Sequence, residues 1–277
     1  MPDRAPWPSV LSDAALPCTL LQFTDLHLCA EPGAELIGVR TEASFSAVLA
    51  QAAASMPYAQ ACLFSGDLAD DGSAAAYQRL TAHMATAPWP AVCIPGNHDN
   101  ATMLHASLDT ELARARCVIA GAWRVILLDS SVPNEVGGTL GEAECRHLQQ
   151  ALRESGDRPV LIVLHHPPVD CGSQWLDAQQ LSDGERFWAI LAQHPNVKAV
   201  VCGHIHQEMD CRQQGVRLLA SPSTCVQFAP QSRHFKIDAQ APGYRWLTLQ
   251  PDGTLTTGVV RLPAGSFPAR THDRDGY

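Results

Sequence analysis

A chain of 277 residues with 46% hydrophobic side chains can bury a large core, as one big domain or two small ones. Its formal charge of −9, with a pI near 5.7 and no Lys/Arg-rich stretch, disfavours nucleic-acid polymers and anionic membranes as partners. A small anionic substrate stays open if positive charge is supplied locally. The opening segment carries three prolines and two acids before Pro17, which breaks the apolar run a signal peptide needs. The longest apolar runs, such as 125–128 and 160–164, are strand length, far below the ~20 residues of a membrane span. A cytoplasmic protein is the expectation. The ten cysteines are scattered singly without CxxC spacing, and Cys62, Cys93 and Cys202 lie in apolar runs; they read as small buried hydrophobes.

In chain order, apolar runs alternate with helical patterns. The pattern predicts a strand over 20–24 and an Ala-rich helix over 41–55, with Phe45, Val48 and Leu49 on one face. A strand over 61–64, a helix over 72–85, a strand over 91–94 and a polar helical stretch follow. Runs 117–120 and 123–128 form a strand pair turning at Gly121. Next come a helix over 141–155, a strand over 160–164, a helix over 183–194 and a strand over 199–202. These β–α–β units imply largely parallel, buried strands. After residue 210, short alternating runs at 216–220, 244–249 and 254–260 predict a second, antiparallel sheet behind helices or on the first. No linker or repeat interrupts the chain, so one domain over 18–264 is expected, between loose tails 1–17 and 265–277.

Polar clusters punctuate the ends of the apolar runs: Asp25 and His27 in TDLH, Asp67 in SGD, Asn97-His98-Asp99 in GNHD, His165-His166 in LHHPP, and His204 and His206 in GHIH. Alone, each means little. Together, at the carboxyl ends of strands where open α/β sheets bind ligands, they converge on one rim. Gly66, Gly96 and Gly203 permit sharp turns there. Imidazoles with carboxylate and amide oxygens suit a pair of borderline divalent ions. Asp67, alone in its cluster and offering two oxygens, is the natural bridge. Asp25 and His27 are two apart and share a side of an extended strand end, as do His204 and His206. Adjacent His165 and His166 point oppositely, so one of the two is the ligand. His83, His105, His147, His194, His234 and His272 lack this setting and read as surface or capping residues. Trp175 and Trp188 read as core or rim packing rather than a base-stacking platform.

The order D-x-H, G-D, G-N-H-D/E, H, G-H-x-H resembles the calcineurin-like metallophosphoesterases, and all five blocks are present between Asp25 and His206. GDLADDGSAAAYQRL, LCGHIHQEMD, LASPSTCVQF and APGYRWLTLQPDGTLTT are similar to bacterial class III 3′,5′-cyclic AMP phosphodiesterases, over nearly the whole chain after the first ~17 residues. The resemblance implies an α/β fold, a four-layer αββα sandwich with mixed sheets. It implies a metal centre of two divalent ions, Mn or Fe first and Zn or Co next. Asp25, His27, Asp67 and His206 would hold one ion, and Asp67, Asn97, His165 and His204 the other. His98 would be the catalytic histidine, protonating the departing 3′ oxygen after attack by a hydroxide bridging the ions, with Asp99 orienting it. Asn97 and His98 would face the cyclic AMP substrate, and a homodimer is implied too. His166, Thr224, Cys225 and Phe228 are candidate further contacts, against the alternative that they only pack the site's edge. Two other readings stand beside this one: a broad phosphodiesterase acting on glycerophosphodiesters or 2′,3′-cyclic nucleotides, and a non-catalytic metal-bearing scaffold.

Overall fold

The computed structural model describes residues 9–10, 12–108 and 110–270. In chain order the elements are β1 (Ser9–Val10), β2 (Cys18–Phe23), β3 (Glu35–Leu36), β4 (Val39–Arg40), α1 (Thr41–Ser55), β5 (Ala61–Ser65), α2 (Ala74–Thr86), β6 (Ala91–Ile94) and α3 (Ala101–Ser107). Then come β7 (Cys117–Ala120), β8 (Trp123–Leu127), α4 (Gly141–Ser155), β9 (Val160–Val163), α5 (Gln174–Asp177), α6 (Gly184–Leu191) and β10 (Val197–Cys202). The chain closes with β11 (Met209–Gln213), β12 (Val216–Ala220), β13 (Gln227–Phe228), β14 (Ile237–Asp238), β15 (Gly243–Leu249) and β16 (Leu255–Arg261).

Two sheets stack face to face. One has seven strands in the order β1-β7-β8-β9-β10-β12-β11, the other five in the order β16-β15-β2-β5-β6. Side chains alternate across each strand and so feed different layers. On β2, Leu20 points into the inter-sheet core while Leu21 and Phe23 meet Phe45, Val48, Tyr77 and Leu80 of α1 and α2. On β9, Leu161 and Val163 enter the inter-sheet core while Val160 and Ile162 pack under Leu148 of α4 and Phe187 of α6. Three cores in four layers make the expected αββα sandwich. With both faces covered, the central strands read as unbroken apolar runs.

The strands after residue 210 correct the sequence reading. The predicted runs 216–220, 244–249 and 254–260 are divided between the two large sheets, and only the short β13 and β14 pair separately. β12 runs parallel to β10, pairing Ala199–Cys202 with Arg217–Ala220, and β11 folds back antiparallel on β12. β15 instead joins the other sheet, antiparallel between β2 and β16. An alternating pattern reveals that a strand is half covered, but not which sheet lies beside it. The polar β11 escaped notice because most of its residues face solvent.

The expected tails are also partly built in. Ser9–Val10 pairs in parallel with Ile119–Ala120, and Arg270 N–H donates to the Ile37 carbonyl at 2.9 Å. Residues 1–8 and 271–277 lie outside the described residues. All ten cysteines are free, and Cys62, Cys93 and Cys202 are buried.

Candidate metal centre

Five loops that leave the strand ends meet where the two sheets face each other. Gln22 of β2 ties them from beneath: its amide donates to Ser65 Oγ (2.8 Å) and to the Cys202 carbonyl (2.9 Å), and its oxygen accepts from Ser221 Oγ. The buried Arg245 of β15 extends this tie, donating to Ser221 Oγ and to the Ala220 carbonyl.

Alternation along an extended strand was the wrong reason for the right convergence. Asp25 (φ 54°), His27 (φ 50°), Asp67 (φ 49°), His204 (φ 69°) and His206 (φ 48°) all lie in the left-handed region, past the ends of β2, β5 and β10. That conformation costs an L-residue about 1–2 kcal/mol, and strain gathered in this way marks functional sites. Leu26 and Ile205, between the paired residues, are fully buried and anchor the turns. Glycine is obligatory nearby for a steric reason. A Cβ on Gly66 would lie 2.3 Å from His165 Nδ1, and one on Gly96 would lie 2.2 Å from Asp67 Oδ1.

The donor atoms form two linked groups. In the first, Asp25 Oδ1 is 3.4 Å from His206 Nε2, which is 3.3 Å from His27 Nε2. In the second, His165 Nε2 lies 3.3 Å from Asp67 Oδ2 and 3.2 Å from Asn97 Oδ1, and Asn97 Oδ1 lies 3.0 Å from His204 Nδ1. Asp67 Oδ2 also stands 4.0 Å from His27 Nε2, between the groups. Two ligands about 2.1 Å from a shared ion sit about 3.0–3.4 Å apart at octahedral or tetrahedral angles, and these contacts fall in that window.

Tautomers support the fit. His206 Nδ1–H donates to the Val226 carbonyl (2.8 Å), His165 Nδ1–H to the Ser65 carbonyl (2.9 Å), and His27 Nδ1–H to Asp70 Oδ1 (3.1 Å). Each ring therefore turns a basic Nε2 inward, the arrangement that orients metal-binding histidines. In particular, His27 Nε2 and His206 Nε2 face each other as lone pairs unless a proton or a cation lies between them. His204 Nε2 is buried and has no hydrogen-bond partner.

The charges respond accordingly. Burial pushes the Asp67 carboxyl up, but His165, His98 and His27 outweigh it and hold it well below the usual range. Burial pushes His165 down, yet Asp67 and Asp25 carry it up to about 9.

His98 and Asp99 do not form the expected pair. His98 Nδ1 faces Asp70, 3.3 Å from its carbonyl and 3.5 Å from Oδ1. Asp99 instead accepts from the backbone N–H groups of Leu68 (3.0 Å), Ala69 (2.9 Å) and Gly96 (2.9 Å) and from the Tyr77 hydroxyl (3.0 Å). It braces the Asp67 loop to the Asn97 loop. Burial first, then the Asp67 charge, raise its carboxyl to about 6. Asp70 was missed; its signal was an acid three residues after Asp67 in GDLAD.

The candidate nucleotide contacts beyond the rim lie inside the fold. Thr224, Cys225 and Phe228 are buried, and Phe228 stacks on His206 with ring centroids 4.1 Å apart at 12°. Trp175 packs edge-on against Phe228, as expected of a packing residue. His166 is fully buried; its Nε2–H donates to the Val136 carbonyl (3.1 Å) and its Nδ1 accepts from Ser130 Oγ (2.8 Å), so both nitrogens are engaged by the loop even though one lies within 4.8 Å of donor atoms of His165 and His204. The open face is elsewhere. A cleft of about 460 Å³ runs past Asn97 and His98, with Ser131–Asn134 as its opposite wall.

The family model described as calcineurin-like phosphoesterase matches residues 18–208. The chain is 42% identical over 250 residues to the 3′,5′-cyclic adenosine monophosphate phosphodiesterase CpdA of Vibrio vulnificus, covering 90% of this chain and 91% of that protein. It is 40% identical over 258 residues to the CpdA of Pseudomonas aeruginosa, covering 93% and 94%. Among solved structures, a dimetal phosphatase from Danio rerio is similar with a TM-score of 0.60, over 88% of this chain and 98% of that one. At 14% identity that likeness speaks for the fold alone.

Proposed function

The chain belongs to the calcineurin-like phosphoesterase family, and on that premise we propose that it is a 3′,5′-cyclic AMP phosphodiesterase that works with two divalent metal ions and releases 5′-AMP. The observation that carries the reading is the doubled donor set at 3.0–3.4 Å, open to a cleft on the side of His98. About 40% identity to the CpdA proteins over nine-tenths of the chain supports the substrate.

Asp25, His27 and His206 would hold one ion and Asn97, His165 and His204 the other, with Asp67 placed between the two groups. When bound, the two ions supply positive charge for the phosphodiester and acidity for a water, which an acidic protein otherwise lacks. Asn97, with its oxygen committed to the His165–His204 side, turns its other face to the cleft. His98 is held at Nδ1 by Asp70, so its Nε2 can deliver a proton to the departing 3′ oxygen. Asp99 keeps both loops in place and touches no reacting atom. Imidazole, carboxylate and amide together suit Mn or Fe, with Zn or Co as substitutes.

The same reading takes residues 18–264 as one domain acting in the cytoplasm as a homodimer, without nucleic-acid polymer or membrane. No helix among the described residues is long and apolar enough to cross a bilayer. The test is kcat/KM on cyclic AMP against glycerophosphodiesters and 2′,3′-cyclic nucleotides, with defined metals. Cyclic AMP should lead the panel. A higher value for another diester points to the broad phosphodiesterase, and inertness towards all of them to a scaffold.

A further inference from the structure

His166 is buried beside the rim, yet the scheme above gives it no task. Its ring lies 4.9 Å from that of His165 and 4.7 Å from that of His204. Both of its nitrogens are hydrogen-bonded to the loop of residues 130–138 that leaves β8 and leads to α4, although one of them lies within 4.8 Å of donor nitrogens of His165 and His204. Val136 O can only accept, so Nε2 carries the proton; Nδ1 then accepts from the Ser130 hydroxyl. The Ser130 oxygen also takes the His166 backbone N–H at 3.3 Å. Gly138 lies so close that a Cβ there would meet His166 Nδ1 at 2.3 Å and the Ser130 carbonyl at 2.8 Å.

The loop needs this hold. Ser130 and Gly138 are buried at its ends, but Pro133, Asn134, Glu135 and Val136 are exposed. The far end is pinned by Ser182, whose N–H and hydroxyl both donate to the Gly138 carbonyl. Among the described residues, the bond from His166 to Val136 O is the one hydrogen bond that residues 131–137 receive from elsewhere in the fold. This same loop supplies the cleft wall that faces Asn97 and His98.

We infer that His166 is a positioning residue that locks loop 130–138 to the metal rim, and that this loop is the surface on which the part of the substrate beyond the phosphate rests. The inference builds on the phosphodiesterase reading. The phosphate of a diester lies against Asn97 and His98, so its nucleoside reaches the opposite wall. Loosening the loop therefore weakens binding of a nucleotide and leaves a diester without a nucleoside untouched.

The experiment uses Ser130→Ala and Gly138→Ala in the full-length, metal-loaded protein. Three quantities are read: kinetics on cyclic AMP and on methyl 4-nitrophenyl phosphate, bound metal per chain, and amide hydrogen exchange over 131–137. One buried hydrogen bond is worth on the order of tenfold in an equilibrium. Each variant should raise KM for cyclic AMP about tenfold while kcat stays within about twofold. Methyl 4-nitrophenyl phosphate turnover and metal content should match wild type, and 131–137 should exchange faster. His166→Gln retains a side-chain N–H for Val136 O and should stay closer to wild type than His166→Leu. Unchanged KM with unchanged exchange in both loop variants overturns the inference. So does equal loss on both substrates with loss of bound metal, which would put His166 in the metal site. A wild-type protein that cleaves methyl 4-nitrophenyl phosphate but not cyclic AMP sinks the substrate reading alone, and the exchange data still decide whether His166 locks the loop.

Discussion

Between the sheets, Leu20 of β2, Leu161 and Val163 of β9 and Leu219 of β12 sit on extended, paired backbone with nothing polar to satisfy. A few residues beyond the ends of those strands, Asp25, His165 and Ser223 are just as buried but carry charge, basic nitrogens and hydroxyls. Five of the candidate ligands there hold left-handed backbone. The interior would satisfy any stable protein. The rim satisfies itself only if something positive enters it. At the rim this chain gives up stability to build a site for cations.

The largest effects should separate the two regions by what they damage. His98→Ala should lower turnover by about 10²–10⁴-fold, the usual contribution of a positioned acid or base. Its unfolding temperature should stay near wild type, because the ring is partly exposed and ligates neither group; a collapse of the fold would contradict its place at the cleft edge. Trp123→Ala acts the other way. The ring is fully buried between the sheets, with Nε1 donating to the Gln250 carbonyl at 2.7 Å. Its loss should cost about 3–5 kcal/mol in denaturant unfolding, while whatever protein stays folded keeps its kcat.

Asp99→Asn sharpens the border between the regions. The amide group would turn an N–H toward backbone N–H donors now served by a carboxylate. A loss of about 2–3 kcal/mol is expected, with turnover falling far less than in His98→Ala. A kinetic loss matching that of His98→Ala would restore Asp99 to the catalytic pair. The smallest effect is the most telling about the rim. His204→Leu removes a buried nitrogen that lacks a partner. Metal-free, this variant should be at least as stable as metal-free wild type by thermal melting, although its activity is lost. Clear destabilisation would mean that the rim is satisfied without cations.

Much of this was legible in the sequence, and for physical reasons. Strands covered on both faces, such as β2, β9 and β10, leave continuous apolar runs, so the places where they stop stand out. Asp25, Asp67, Asn97, His165 and His206 could be gathered onto one rim from that alone. Which sheet takes β12 or β15 could not be read, because alternation reports coverage and not the neighbour. Nor could the partner of His98. Asp99 adjoins it in sequence, but its carboxylate turns to the amides of Leu68, Ala69 and Gly96, while Asp70 reaches His98 from another loop. The roles of His165 and His166 separate only through what each ring touches: Asp67 and Asn97 for one, Ser130 and Val136 for the other.

The most direct test of the rim is the number of metal ions bound per chain after Mn²⁺ loading and desalting, in wild type and in Asp67→Ala. Two ions in wild type, with loss of the pair when the joining carboxylate is removed, is the result expected of a rim built for two linked cations. Fewer than one ion in wild type, or two ions undisturbed by Asp67→Ala, would contradict it.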